Sequence, residues 1–406
     1  MQIGFFIAKK LSFENQQGFT KTITILATLA VAVSIAVVII AFGILLGFKQ
    51  EIRGKVTGYG GDITVSSYQL TSGSENSLLD FNDSVLNSIS SDKQIESVYP
   101  YLNKAGILKT DSLLEGLIFK GIPHNYDLSF YRKHLVKGNL PEYSDSSDSY
   151  DILLSESTAL LLNVDTSDRL NLFFIQNGDV KLRRPEVVGI YNTGLTEFDK
   201  KSAIADIRML QRVVTTEYTQ IGGYEIKVAD FEKIDKTTNS IQASLPYSLS
   251  ATSIIDNYPT IFQWLEIVDT NVIVIIALMF VVAVINIVTV LLILIIERVQ
   301  MIGILKSLGA NNKSVLGIFS YQGLFILLGG VIIGNAVALS LGLLQSKYKL
   351  LGLSADTYYM DSVPFHLPLS IWILINAGAI VVCFLFTFLP ASVISRITPV
   401  KSLKFN

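Results

Sequence analysis

The residues best suited to chemistry in this sequence are scattered. Glu142, Asp145, Asp148 and Asp151 crowd the stretch EYSDSSDSYD and offer the oxygen ligands that calcium prefers, but the EF-hand spacing and its glycine are missing. His124, His134 and His366 lie far apart and accompany neither a cysteine pair nor an HExxH, so their spacing makes no zinc site. No G-x-x-x-x-G-K-[ST] loop is present to cradle a nucleotide's phosphates, and no G-x-S-x-G elbow to present a serine. Cys383 is the single cysteine, lies inside an apolar run and reads as a packing residue. These absences point to a non-catalytic chain with no cofactor of its own. If it works on a substrate, the energy arrives from another protein.

The elements that would position any site are dominated by membrane helices. Half of the 406 residues are hydrophobic, only 16% are charged and the mean hydropathy is +0.48, too apolar for an ordinary soluble domain. Residues 22–48, 270–296, 314–346 and 362–395 contain no Asp, Glu, Lys or Arg. Each run exceeds the roughly 20 residues that cross a bilayer as a helix, so four spans are expected. The first reads as an anchor and not a signal peptide, because its apolar core is far longer than about 7 to 15 residues and no A-x-A-like site follows. The spans are nearly free of charge, with Asn286 and Asn335 inside them, whereas ion-coupled transporters use intramembrane carboxylates or cations.

Orientation follows from Lys and Arg in the short flanks. Lys9, Lys10 and Lys21 precede the first span, Arg298, Lys306 and Lys313 fill the gap after the second, and Arg396, Lys401 and Lys404 follow the fourth. The only acids in those segments are Glu14 and Glu297, so all three, and both termini, belong in the cytoplasm. The loop at 347–361 balances Lys347 and Lys349 with Asp356 and Asp361 and belongs outside, as does the long segment 49–269. That segment has 30 acids against 21 bases, a net charge of −9, which makes nucleic acid an unsuitable partner. Residues 1–21 mix Phe5, Phe6, Ile7, Leu11 and Phe13 with Lys9, Lys10 and Glu14, as suits an interfacial helix.

The external segment alternates strand-like and helix-like stretches and reads as an α+β domain of one or two subdomains. GDITVSS from Gly61, DRLNLFFI from Asp168 and GGYEIKVAD from Gly222 show period-two patterning. SESTALLLNV from Ser155 reads as a helix capped by Ser155, and SAIADIRMLQRVV from Ser202 as another. In the third span Gly330, Gly334, Ala338 and Gly342 recur every four residues and make one smooth face for close helix approach. Tyr358, Tyr359 and Trp372 suit an outer interfacial belt.

One stretch between two spans stands out: ERVQMIGILKSLGANNKS, residues 297–314. On a helix, Met301, Ile304, Leu305 and Leu308 form an apolar stripe, and Val299, Gly303 and Ser307 form a smooth opposite face open to a partner. Gly309 suits the left-handed C′ position, and Asn311 or Asn312 can cap the next helix. The same pattern also serves a simple interfacial turn joining two spans.

The stretch resembles the signature of the FtsX-like, or MacB-type, ABC transporter permeases, E-R-x-x-x-I-G-I-L-[KR]-x-L-G-A. Glu297, Arg298, Ile302, Gly303, Ile304, Leu305, Lys306, Leu308, Gly309 and Ala310 match it, and Met301 replaces a residue more often charged. Within that superfamily the chain is most similar to the lipoprotein-releasing LolC/LolE permeases, through FIAKKL, EIRGKVTGYGGDITV, ILLSESTALLLNVDTSDRLNL, YYMDSVPF and LPASVISRITPVKSL. The resemblance implies an α-helical membrane protein with four transmembrane helices and a large α+β periplasmic domain, 49–269, between the first two. It also makes 297–313 a cytoplasmic coupling helix on a separate LolD-like ATPase dimer that carries ATP and Mg, and 396–406 a cytoplasmic tail. Further implied are a bacterial inner-membrane location, a second permease subunit, identical or not, a lipoprotein substrate and a periplasmic lipoprotein chaperone.

In this branch acyl chains sit between the first and second spans of paired subunits. Leu45, Leu46, Phe48, Ile261, Phe262, Leu265 and Ile267 are the candidate lining, and packing against lipid or another span is the alternative for each. The hook that recruits the chaperone in LolC-type subunits corresponds to the short QNGDVKLRR, residues 176–184. The implied function is ATP-driven extraction of lipoproteins by mechanotransmission. The alternatives are a MacB-like exporter of peptides or drugs, an FtsX-like regulator of a cell-wall hydrolase, and a receptor or anchor with no ATPase.

Overall fold

The structure, a computed structural model, describes residues 19–68, 78–111, 113–176, 178–215, 218–354 and 358–389. Most of the expected interfacial helix 1–21 and the whole of the tail 396–406 lie outside the described residues. Four helices are long and apolar enough to cross a membrane: Lys21–Gly60, within the helix Phe19–Gly60, then Pro259–Glu297, Asn312–Tyr348 and Leu369–Phe386. Two compact units are formed. One holds the described residues up to Gln50, Trp264–Gly352 and those from Val363; the other holds Glu51–Gln263 and Leu353–Ser362.

In the membrane unit the spans share an apolar core that includes Val31, Ile35 and Ile39 of the first span, Ile287 of the second, Leu327 and Ala338 of the third, and Ile375 and Cys383 of the fourth. The small residues of the third span account for its closest approach to the first. A Cβ at Gly334 would stand 2.6 Å from the Ala32 carbonyl oxygen and 3.0 Å from Ile35 Cβ, and one at Gly330 would run into Val31. This is the small-residue packing that membrane helices use where burial from water supplies no drive. Trp372 Nε1 donates to Asn335 Oδ1 at 2.6 Å, and Asn335 Nδ2 donates to Asn376 Oδ1 at 2.6 Å, tying the third and fourth spans by polar bonds.

The fourth helix begins at Leu369, later than the apolar run at 362 suggests. Pro364 and Pro368 carry no N–H, and Pro368 is the residue from which the helix starts. The extended residues before it have their own packing role. The Phe365 ring occupies a notch that only glycine leaves open, since a Cβ at Gly43 or at Gly342 would overlap it, and His366 N donates to Gly43 O at 2.9 Å.

The second unit is α+β. Its main sheet has eleven strands among the described residues; the central path runs Leu249–Ser253, Ile63–Ser67, Gly223–Val228, Ile95–Lys109, Leu114–Ile122, Ser202–Asp206, Asp151–Ser155, Glu186–Tyr191, Leu135–Gly138. The two period-two stretches flagged from sequence are antiparallel neighbours, with Ile63 opposite Ile226 and Val65 opposite Tyr224. Ser155 caps Glu156–Leu162 by accepting from Thr158 N at 3.2 Å. The stretch from Ser202 does not begin as a helix. Ser202–Asp206 is a fully buried strand parallel to Leu114–Ile122, and only then does Asp206 cap the helix Ile207–Val214 by accepting from Arg208 N at 2.9 Å. A short apolar run cannot by itself separate a buried strand from a helical turn.

Phe365→Ala is expected to empty the glycine notch and lower the stability of the detergent-solubilised protein by about 3 kcal/mol, and Gly334→Leu to prevent close approach and folding altogether. Thermal melting followed by size exclusion reads both effects.

Candidate functional site

The segment after the second span is assembled by local rules. Pro259–Glu297 ends at Glu297, and Val299–Ser307 follows after Arg298, yet the backbone bonds continue: Arg298 N donates to Leu294 O at 3.2 Å and Ile302 N to Arg298 O at 3.0 Å. The end is a Schellman arrangement. Gly309 has φ +94°, Gly309 N donates to Lys306 O at 3.1 Å and Ala310 N to Leu305 O at 2.9 Å. Asn311 then caps Asn312–Tyr348, its Oδ1 accepting from Ser314 N at 2.8 Å. Both the glycine and the asparagine do what their types suggest.

The faces of this helix are a correction to the sequence reading. Ile302 and Gly303 are buried, and Ile302 packs with Ala27, Leu294, Ile295, Val315, Phe319 and Ile326, with Met301 and Ala310 at the edge. Gly303 therefore does not offer a smooth face to a partner. What the chain exposes is Ile304, at 50%, and Leu308, at 80%, while Leu305 and Lys306 are half-buried. The apolar stripe was taken as the inner face because neighbours are invisible in sequence. In the structure the inner face is one residue round the helix, centred on Ile302.

The candidate acyl-lining residues divide. Leu45, Ile261 and Leu265 are buried within the chain, Leu46, Phe48 and Phe262 are half-buried, and Ile267 is 60% exposed. Phe48 meets Trp264 with ring centroids 6.3 Å apart. Phe262 stacks on Phe231 at 6.2 Å, and the Arg53 guanidinium lies over Phe231 at 3.8 Å. The two aromatic contacts fall in different units, so the seven residues do not form one described surface.

In the α+β unit the acidic loop is neutralised by arginines. Asp148 pairs with Arg212 at 2.7 Å and Arg208 at 3.5 Å and accepts from the Tyr218 hydroxyl at 3.0 Å; Asp145 pairs with His124 at 2.8 Å. Among the described residues no three His, Cys, Asp or Glu side chains are grouped to hold a metal. Residues 176–184 fall in a tight hairpin, with Gln176 opposite Asp179 and Ile175 opposite Val180, whose left-handed turn position is Gly178 at φ +88°.

Sequence reading missed a buried ion pair. Lys120, on Leu114–Ile122, and Glu225, on Gly223–Val228, lie 2.8 Å apart with side chains only 3% and 7% exposed. Tyr126 donates its hydroxyl to Glu225 Oε2 at 3.1 Å, and burial pushes that phenol well above its ordinary pKa, so it remains a donor. Lys120 Nζ also donates to the carbonyl oxygen of Tyr59, in the last turn of Phe19–Gly60. The available signal was a charge at an inward position of each of two otherwise apolar strands. Nearby, burial raises the Asp199 carboxyl above its usual range, against the Thr193 N–H at 3.0 Å and the Thr193 hydroxyl at 2.8 Å, both of which donate to it.

Comparison with known proteins agrees with this architecture. The family profile for the MacB-like periplasmic core domain matches residues 24–244, and that for the FtsX-like permease C-terminal matches residues 273–399. The chain is a multi-pass membrane permease and belongs to the family that carries the MacB-like periplasmic core domain, here joined to an FtsX-like permease region. It is similar to the lipoprotein-releasing system transmembrane protein LolC of Xylella fastidiosa strain 9a5c, 23% identical over 413 residues, covering 98% of this chain and 97% of that protein. The lipoprotein-releasing system transmembrane protein LolE of Haemophilus influenzae is 21% identical over 420 residues, covering 99% of each. Among solved structures, the periplasmic region of MacB from Actinobacillus actinomycetemcomitans aligns with TM-score 0.36 and 17% identity, over 54% of this chain and 97% of that one.

The corrected faces of the short helix make opposite predictions for two apolar side chains. Ile302→Ala is expected to cost about 2–5 kcal/mol and Leu308→Ala less than about 0.5 kcal/mol, both read by thermal melting of the purified protein.

Proposed function

We propose that this chain is the permease subunit of an ABC transporter that extracts lipoproteins from the bacterial inner membrane for delivery to the outer membrane. The observation that carries this reading is similarity over nearly the whole length to LolC and LolE, through both the MacB-like and the FtsX-like regions. The basic flanks assign the termini and residues 297–313 to the cytoplasm, and the acidic domain to the periplasm. A separate ATPase dimer of the LolD kind, binding ATP and Mg, docks on the segment from Glu297 to Ala310. A second permease subunit completes the pair, and a periplasmic chaperone receives the lipoprotein.

The need for an energy source follows from the substrate. A lipid anchor resists extraction by about 0.8 kcal/mol for each buried CH₂, so a multiply acylated protein does not leave the bilayer unaided at a useful rate. This permease supplies no ATP chemistry of its own in the proposal. Its task is to convert the ATPase's closure into movement of helices that reach from the cytoplasmic face to the periplasmic domain. The phrase "one helix" has physical weight here: Phe19–Gly60 has 42 residues and Pro259–Glu297 has 39, about 63 and 58 Å long at 1.5 Å per residue, roughly twice the hydrocarbon thickness.

Leu308, exposed and peripheral to the chain's own core, is the discriminating position for docking. Leu308→Asp is expected to leave folding intact while lowering ATPase recovered with the affinity-purified permease by about ten-fold or more, the loss of one central apolar anchor. Normal recovery of the ATPase with this variant would refute the docking assignment. The same preparation, probed for bound triacylated lipoproteins, tests the substrate class separately.

A further inference from the structure

The C-terminal end of a helix leaves carbonyl groups without intrahelical donors, and when that end is buried the fold must supply them. At the end of Phe19–Gly60 one donor is ordinary: Gly61 N donates to Thr57 O at 2.8 Å. The other is an ammonium. Lys120 Nζ reaches the Tyr59 carbonyl from a strand in the middle of the sheet, while its charge is balanced by Glu225 at 2.8 Å on a strand two positions away across Ile95–Lys109. Lys120 Nζ also lies 5.3 Å from the ring centroids of both Tyr59 and Tyr126, and 3.3 Å from the Tyr126 hydroxyl. Helix end, two strands and Tyr126 thus converge on one nitrogen.

Stability alone is a poor reason for this arrangement. Removing a Lys and a Glu from water is costly, and a buried ion pair is often no better for stability than an apolar pair of the same size. What an apolar pair cannot do is hold a carbonyl in a fixed direction. The close packing around the same turn agrees with a joint built to be stiff, since a Cβ at Gly58 would overlap the Phe130 ring.

We infer that Lys120, held by Glu225, is a positioning residue that clamps the end of the first helix to the sheet, so that displacement of the helix moves the sheet with it. The inference rests on the proposed force-transmitting function. It adds a particular joint, and it makes the ion pair part of the coupling instead of part of the stability of the domain.

The test uses the full permease purified with its ATPase and reconstituted in liposomes with the lipoprotein that co-purifies. Lipoprotein released per ATP hydrolysed is compared for wild type, Lys120→Met, Glu225→Gln and the double variant, alongside melting temperature. Each single variant leaves a buried charge unpaired and is expected to melt lower; the double removes both charges, and its amide still accepts from Tyr126. The clamp predicts that the double variant regains most of the melting temperature and still hydrolyses ATP, but releases about ten-fold less lipoprotein per ATP. A double variant that regains release together with stability would reduce the pair to a structural role and overturn the inference. Wild-type complex that hydrolyses ATP without releasing lipoprotein would instead sink the proposed function.

A second measurement needs no variant. During ATP turnover by the wild-type complex, amide hydrogen exchange at Gly61 and Asp62 should stay within about two-fold of its resting value, in step with the strands that carry Lys120 and Glu225. Exchange that accelerates by more than about ten-fold at the helix end, while those strands remain protected, would show the joint opening and would also overturn the clamp.

Discussion

A helix cannot end in a buried place without donors for its last carbonyls, and this requirement governs the junction on which the chain is organised. Phe19–Gly60 has no break where an apolar span would ordinarily stop, near Phe48, but continues for about three more turns through EIRGKVTGYG. Those turns are poor helix by composition, with Gly54, Gly58 and Gly60. Packing maintains them: Ile52 and Val56 are fully buried, Gly58 admits Phe130, and Lys55 Nζ donates to the Tyr359 carbonyl at 2.9 Å. Side chains from the sheet and from the segment before the fourth span therefore hold a helix that its own sequence would let fray.

Two kinds of adhesion operate in the two units. In the membrane unit, where lipid is as apolar as the side chains, helices are held by shape: glycines of the third span against Val31, Ala32 and Ile35, and Phe365 in a notch of glycines, with the Asn335–Trp372–Asn376 bonds as the polar contribution. The α+β unit has water around it and is built on a buried apolar sheet, in which charges are admitted only with partners. The proposed function needs both properties, stiff helices and a stiff sheet, and a joint between helix end and strand that does not yield.

Much of this was legible in the sequence where the rule was local. Gly309 and Asn311 announced a stop and a start, Ser155 announced a cap, and the strands at Ile63 and Gly223 showed their period of two. The small residues of the third span showed a packing face, although not which helix would use it. What sequence could not supply was the identity of neighbours. The inner face of Val299–Ser307 is set by Ala27, Leu294 and Phe319, distant in sequence, and so Gly303 was assigned to the wrong side. Lys120 and Glu225 are 105 positions apart in the chain, and only the sheet order brings them together. Ser202–Asp206 looked helical because a buried parallel strand carries no alternation to betray it.

The most direct test of the central claim is affinity purification of the full-length protein from its native membrane, with mass spectrometry of everything retained, lipidated proteins included. The account predicts an ATPase chain, one or two permease species and triacylated lipoproteins in the same complex. Recovery of an ATPase with an adaptor or a cell-wall hydrolase and no lipoprotein, or of no ATPase at all, would contradict it.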